Sequence, residues 1–208
     1  MRAKRAVITA AGRGTRQFPA TRSIQKELLP LVDVDGLTKP TIQIIIEDCL
    51  ASGIEEVCIV VERNGQGPFR EHFRALTDDE RRVFASKPWA LEAGVALADM
   101  ERRITYVEQP SPEGFGHAVY QAKDFVGSEP FLLLLGDHVY TTPDGVPSPI
   151  AQLLDAGAES GGSVTSVRID PESAVHATGV VKCHALKDNL SADSPGQVYD
   201  ILALKEKP

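Results

Sequence analysis

Cysteine is scarce in this sequence and badly placed for staples or metal. Its three cysteines, Cys49, Cys58 and Cys183, form no CxxC pair and no regular spacing with histidine. That pattern excludes a zinc-ribbon or disulfide-framework reading. Isolated, apolar-flanked cysteines suit a reducing cytoplasm. No apolar run approaches the ~20 residues that cross a bilayer. The start, MRAKRAVITAAGRG, has basic residues, but its apolar part is short and leads straight into a glycine loop. It reads as a first strand rather than a secretory leader. Positive charge is also in deficit: 22 Lys/Arg face 29 Asp/Glu, for a net charge of −7. That balance argues against a nucleic-acid or anionic-membrane binder. Two common glycine motifs are missing as well. GxxxxGK[ST] does not occur. GxGxxG fails because Gln17 stands in the third place and Pro19 disfavours an immediate helix. The first absence removes a P-loop, and the second removes an NAD-type oxidoreductase.

What is present is concentrated near the start. Residues 1–40 hold eight Lys/Arg against three acids, whereas the remainder holds 14 against 26. A local positive site on an acidic protein suits a small anion such as a nucleotide. Within it, Gly12 to Pro30 reads GRGTRQFPATRSIQKELLP, packing two glycines, three arginines, two prolines and a lysine into one loop. Glycines let backbone N–H groups approach a ligand, and successive exposed N–H groups form an anion-binding concavity. Arginines and a lysine add fixed and mobile positive charge. The loop is expected to hold a polyphosphate.

The flanking pattern is α/β. Arg5 to Ala10 reads as a buried strand. TIQIIIEDCLAS puts Ile42, Ile45, Ile46, Cys49 and Leu50 on one helical face behind Pro40, with Gly53 placed to end the helix. Glu56 to Val61 is a second strand, completing the strand–loop–helix–strand unit of a parallel sheet. Residues 64–102 read as a helical excursion. Strands are expected at 103–108, 131–135, 163–167, 179–183 and 198–204, and helices at 117–125 and 150–158. In open α/β sheets, ligands sit beyond the carboxyl ends of strands. The loops 12–30, 109–116 and 136–138 are therefore expected to converge on one crevice.

AAGRGTRQFPATRSIQKELLP resembles the signature of sugar-1-phosphate nucleotidyltransferases, in particular the bacterial UTP–glucose-1-phosphate uridylyltransferases. The likeness continues in KPTIQIIIEDCLASGIEEVCIVV, QPSPEGFGHAVYQAKDFVGSEPFLLLLGD and VYDILALKEKP. It implies a single catalytic domain over residues 1–208 with a Rossmann-like three-layer fold and a mixed, mostly parallel central sheet. Relatives continue past EKP, so the chain reads as a fragment or a shortened variant. The implied partners are UTP or dTTP and a sugar 1-phosphate, with magnesium as cofactor, and a homo-oligomer is compatible with the family. The resemblance assigns triphosphate binding to Ala11, Gly12, Gly14 and Thr15. Arg16 stabilises the pyrophosphate end, and Lys26 neutralises charge at the α-phosphate. Gln109 and Gly114 read the pyrimidine, and Asp137 holds the metal. Gly179, Glu206 and Lys207 hold the sugar and its phosphate. Arg13 and Arg22 stay unassigned. His117 reads as a helix-start residue and His138 as pocket wall. Thr178 stands where relatives carry tyrosine, and Val34–Thr38 is an extra stretch. A truncated nucleotide-binding or regulatory protein is the competing expectation.

Overall fold

The structure, a computed structural model, describes residues 1–143, 145–169, 171, 173, 179–185 and 198–206. The chain forms two compact units, Arg2–Tyr140 and, together with Met1, Thr141–Pro208.

The first unit opens with β1 (Arg5–Ala10), followed by three short 3-10 turns at 15–17, 20–22 and 26–28. Next come β2 (Pro30–Val32), β3 (Thr38–Pro40), α1 (Thr41–Ala51) and β4 (Glu56–Glu62). The helical excursion resolves into α2 (Gly67–Phe73), α3 (Asp78–Val83) and α4 (Pro88–Glu101), after which β5 runs Ile104–Gln109. The unit ends with α5 (Phe115–Gln121), α6 (Lys123–Val126) and β6 (Phe131–Leu135). The four long strands form one sheet in the order β5-β4-β1-β6, and all three pairings are parallel. Among the described residues, antiparallel pairing is confined to two separate two-stranded ladders, β2–β3 and one in the second unit.

The apolar run in β4 has no alternation because both faces are covered. Val57, Cys58, Ile59, Val60 and Val61 are all fully buried, as expected of an interior parallel strand. On one face Val7, Cys58 and Val60 pack with Ala118 of α5, Val126 of α6 and Ala122 between them. On α1, Ile42, Ile45, Ile46 and Cys49 are buried. Its end is closed by Gly53 N–H donating to the Leu50 carbonyl and Ile54 N–H to that of Cys49, the paired bonds of a Schellman motif. Pro40 precedes α1 rather than opening it, because its backbone pairs with Pro30 in the β2–β3 ladder.

That ladder was not expected, and one lysine organises it. Lys39 is buried, and its Nζ lies 2.7 Å from Asp33 Oδ2, 2.6 Å from Asp35 Oδ2 and 2.8 Å from Glu47 Oε2. Burial opposes the charge, but three carboxylates outweigh it and hold the ammonium well above its ordinary pKa. The extra residues 34–38 are thereby tied back to α1. Beside them, both the backbone N–H and the hydroxyl of Thr41 donate to the Leu29 carbonyl, anchoring the far end of the glycine loop.

The second unit contains α7 (Pro149–Ser160) and the antiparallel pair β7 (Gly179–Ala185) and β8 (Tyr199–Glu206). Ser148 caps α7 by accepting from the Ala151 N–H. The strand expected at Ser163–Val167 is irregular instead. Its alternating pattern finds no ladder among the described residues, and a strand without a partner has nowhere to place its backbone bonds.

Removing the Lys39 ammonium leaves three carboxylates crowded without a counter-charge. Lys39→Ala should therefore lower unfolding free energy by about 3–5 kcal/mol, measured by urea denaturation. A loss below about 1 kcal/mol would show that the cluster behaves as an ordinary surface pair.

Candidate active site

The site is built where the sheet order turns. The chain runs outward from β1 to β4 and β5, then returns to lay β6 on the other side of β1. In parallel sheets such a reversal opens a crevice at the carboxyl ends of the two strands flanking it. Here those ends carry the glycine loop after Ala10 and Gly136-Asp137 after Leu135.

Two charges lock these loops together. Lys26 Nζ lies 2.8 Å from Asp137 Oδ2 and 3.0 Å from Glu27 Oε1. Glu27 is fully buried. Its charge is met by Lys26 at 3.0 Å. Burial pushes the Glu27 carboxyl above its ordinary pKa against the pull of Lys26, and the charge of Asp137 adds to the rise. For Asp137, burial acts in the same upward direction. The Lys26 ammonium, with His138, outweighs it and holds this carboxyl below the usual range. Two carboxylates that share one ammonium are thus driven apart in proton affinity.

The glycines leave room for this arrangement. A Cβ on Gly12 would lie 3.3 Å from Lys26 Cε. At Gly14 the backbone is left-handed, with φ 58°. A Cβ there would come within 2.7 Å of Thr21 Cγ2 and 3.2 Å of Lys26 Cβ. Thr21 Oγ1 also donates to the Gly14 carbonyl at 2.9 Å, so the loop folds back on itself over the lysine stem. Behind it, a Cβ on Gly136 would reach 2.7 Å from Glu27 Cγ. Among the described residues, the loop's turn hydrogen bonds are donated from Gln17 onward. The N–H groups of Gly12 to Arg16 are not used by them.

A cavity of about 410 Å³ is lined by Ser23, Gln25 and Leu28 of the loop and by Glu62 and Asn64 at and beyond the end of β4. The Glu62 carboxylate makes it a poor place for polyphosphate, and the Gly12–Lys26 face is the better anion site.

At the end of β5, Gln109 is buried and its Nε2 donates to the Gly114 carbonyl at 3.1 Å. Gly114 has φ 103° and ψ −179°, a conformation closed to other residues, although a Cβ would meet nothing there. That glycine is needed for backbone shape rather than for space.

The chain was compared with known proteins. It matches the nucleotidyl transferase family over residues 5–208. It belongs to that family. The UTP–glucose-1-phosphate uridylyltransferase of Bacillus subtilis is 36% identical over 99% of this chain and 64% of its own length. The one from Staphylococcus epidermidis is 38% identical over 99% of this chain and 65% of its own. The chain therefore spans just under two thirds of the length of these curated relatives. Among solved structures, a UDP-glucose pyrophosphorylase complexed with UDP-glucose superposes with a TM-score of 0.77, 27% identity and coverage of 99% of this chain and 69% of that one. A UTP-bound enzyme of the same kind from Acinetobacter baumannii gives 0.74, 25%, and 99% and 68%. The three-layer α/β fold expected from the sequence is the fold of these neighbours.

Within this chain the structure brings together Gly12, Gly14, Lys26 and Asp137, and separately Gln109 with Gly114. Ala11 lies just beyond β1, and Thr15 and Arg16 stand exposed on the first 3-10 turn. In the second unit, the β7–β8 register sets Gly179 opposite Glu206. Lys207, like Thr178, lies outside the described residues. Glu27 was missed: its acid reads as loop surface in sequence, and only the fold buries it. His117 is more than a helix-start residue, since its Nδ1 is 3.2 Å from Gln109 Nε2.

Gly14→Ala should cost about 1–3 kcal/mol from backbone strain, with the crowding of Lys26 added, in urea unfolding. Gly116→Ala meets nothing within 4 Å and lies in α5. It should be neutral or stabilising by up to about 1 kcal/mol. Equal losses at both positions would refute the packing of Gly14 on Thr21 and Lys26.

Proposed function

We propose that this chain transfers a nucleotidyl group from UTP, or from dTTP, to a sugar 1-phosphate, most simply glucose 1-phosphate, with release of pyrophosphate. The observation that carries this reading is the Lys26–Asp137 pair of 2.8 Å beneath Gly12. A cation donor and a hard oxygen ligand, side by side at the end of two parallel strands, match what an α-phosphate under attack needs.

The chemistry asks little else of the protein. The second pKa of a phosphate monoester is about 6, so the sugar phosphate is already an anionic nucleophile at neutral pH. Its oxygen forms a bond to the α-phosphorus of the triphosphate as the bond to pyrophosphate breaks. Catalysis reduces to aligning two anions and neutralising the charge that builds between them. In this reading the N–H groups of Gly12, Gly14 and Thr15, with the backbone at Ala11, cradle the phosphates. Lys26 turns its ammonium to the α-phosphate, while Glu27 keeps the lysine within the site. Arg16, exposed on its turn, closes over the departing pyrophosphate. Gln109 and the Gly114 backbone read the base. For the sugar side the family resemblance points to Gly179, Glu206 and Lys207, and the Gly179–Glu206 register supports the first two.

Members of the family generally use a divalent metal. Among the described residues no cluster of three His, Cys, Asp or Glu could hold one alone. Asp137 nevertheless fits magnesium, which prefers one or two carboxylates completed by phosphate oxygens and waters. Asp137 would hold the magnesium ion, which would supply positive charge to offset the negative charge of the phosphates. His138 is a poor ligand for so hard an ion.

The test is pyrophosphate release with UTP, glucose 1-phosphate and magnesium, run beside dTTP and other sugar phosphates. UTP-dependent release is expected. Lys26→Gln should lower turnover by about 10²–10³, assayed well below its thermal unfolding midpoint, which should itself fall because the buried Glu27 loses its counter-charge. UTP binding without release in the parent protein would favour a nucleotide-binding or regulatory role instead. Intact turnover in the variant would remove Lys26 from the mechanism.

A further inference from the structure

The Gln109 amide is held more tightly than a base-reading side chain needs to be. Its Nε2 lies 3.1 Å from the Gly114 carbonyl oxygen and 3.2 Å from His117 Nδ1. A carbonyl oxygen only accepts, so the amide nitrogen, not the amide oxygen, must face Gly114. That nitrogen has two hydrogens, and the two partners engage both. The sequence alone suggests that this amide offers a base both a donor and an acceptor. The structure turns both donor hydrogens inward and leaves the acceptor Oε1.

His117 decides whether that arrangement holds. Its Nδ1 is also 3.1 Å from the Ser111 carbonyl oxygen, and one ring nitrogen cannot serve both neighbours. It either accepts from Gln109 or carries a proton and donates to Ser111. A proton on Nδ1 would set two donors 3.2 Å apart, against a side chain that is only 6% exposed. The Ser111 carbonyl belongs to a partly exposed turn, where water can satisfy it. Leaving a buried donor without an acceptor is the costlier choice. The ring proton therefore sits on Nε2, and Nδ1 accepts from Gln109.

We propose that His117 is a positioning residue for base selection. By taking one hydrogen of the Gln109 amide, it presents Oε1 to the incoming nucleotide. The site then takes a base whose ring nitrogen carries a hydrogen, as in uracil and thymine. It rejects cytosine, whose ring nitrogen at that position carries a lone pair and would face Oε1 acceptor to acceptor. Turning the amide over to suit cytosine would break both the Gly114 and the His117 contacts at once. This inference rests on the reading that Gln109 faces the base.

The experiment has a ligand-free arm and a binding arm. Nitrogen-15 NMR of the ligand-free protein should show His117 as the Nε2–H tautomer with Nδ1 unprotonated. The opposite tautomer overturns the proposal without any need for a variant. Calorimetric titration should show UTP binding at least about a hundredfold tighter than CTP, since a site built to hydrogen-bond rejects a mismatched partner strongly. His117→Ala, checked for an intact fold by the same NMR spectra, should reduce that ratio about tenfold or more, because Gln109 is free to turn. His117→Asn can place Oδ1 where Nδ1 stood and should restore most of the ratio. UTP binding with an unchanged UTP:CTP ratio in His117→Ala overturns the role of His117 while leaving the uridine reading standing. Failure of the parent protein to bind either nucleotide overturns both.

Discussion

One ammonium between two carboxylates organises the working end of this fold. Lys26 comes from the loop after β1 and Asp137 from the end of β6, so their contact joins the two strands that flank the reversal of the sheet. Glu27 makes the contact one-sided. It is fully buried, and among the described residues Lys26 is the one cation that pairs with it. Asp137 is partly exposed and can exchange the lysine for another cation. The consequence is a lysine anchored on one side and exchangeable on the other. The proposed triphosphate role would use that asymmetry, since charges held before a ligand arrives must be released to it afterwards.

The surrounding structure works to keep that ammonium in place. Gly12 and Gly14 supply backbone without side chain where Lys26 lies, and Gly136 does the same for Glu27. The 3-10 turns hold the loop against itself, and Thr41 fastens its end to α1 through the Leu29 carbonyl. Lys39 repeats the design on a structural scale, with three carboxylates around a buried ammonium. The difference is that all its partners are committed to the protein. One lysine is spent wholly on shape, and the other keeps a partly exposed partner in Asp137.

Much of this was legible in the residues. The strands β1, β4 and β6 could be read from short continuous apolar runs, and the face of α1 from helical periodicity. The glycine loop could be separated from its lookalikes by a missing third glycine and an early proline. What sequence hid depended on partners. The three-residue strands of the β2–β3 hairpin are too short for an alternating pattern, and Lys39 holds them by charge from residues as distant as Glu47. Ser163–Val167 has the alternation of a strand but no ladder to join. Glu27 stands in plain view beside Lys26, yet an acid in a polar loop gives no sign of burial. His117 gave no sign either, because its contact with Gln109 exists only once the turn at Gly114 closes.

The sheet order has a bearing on how the site comes into being. β1 and its loop are synthesised first, but β6, which supplies Asp137, follows β4 and β5 in the chain. Until it takes its place beside β1, the loop contains every residue of its signature and still lacks Asp137 as the second carboxylate at Lys26. The site is thus completed by one of the last strands of its unit to leave the ribosome. A nascent chain carries the emblem of the family long before Lys26 can meet Asp137.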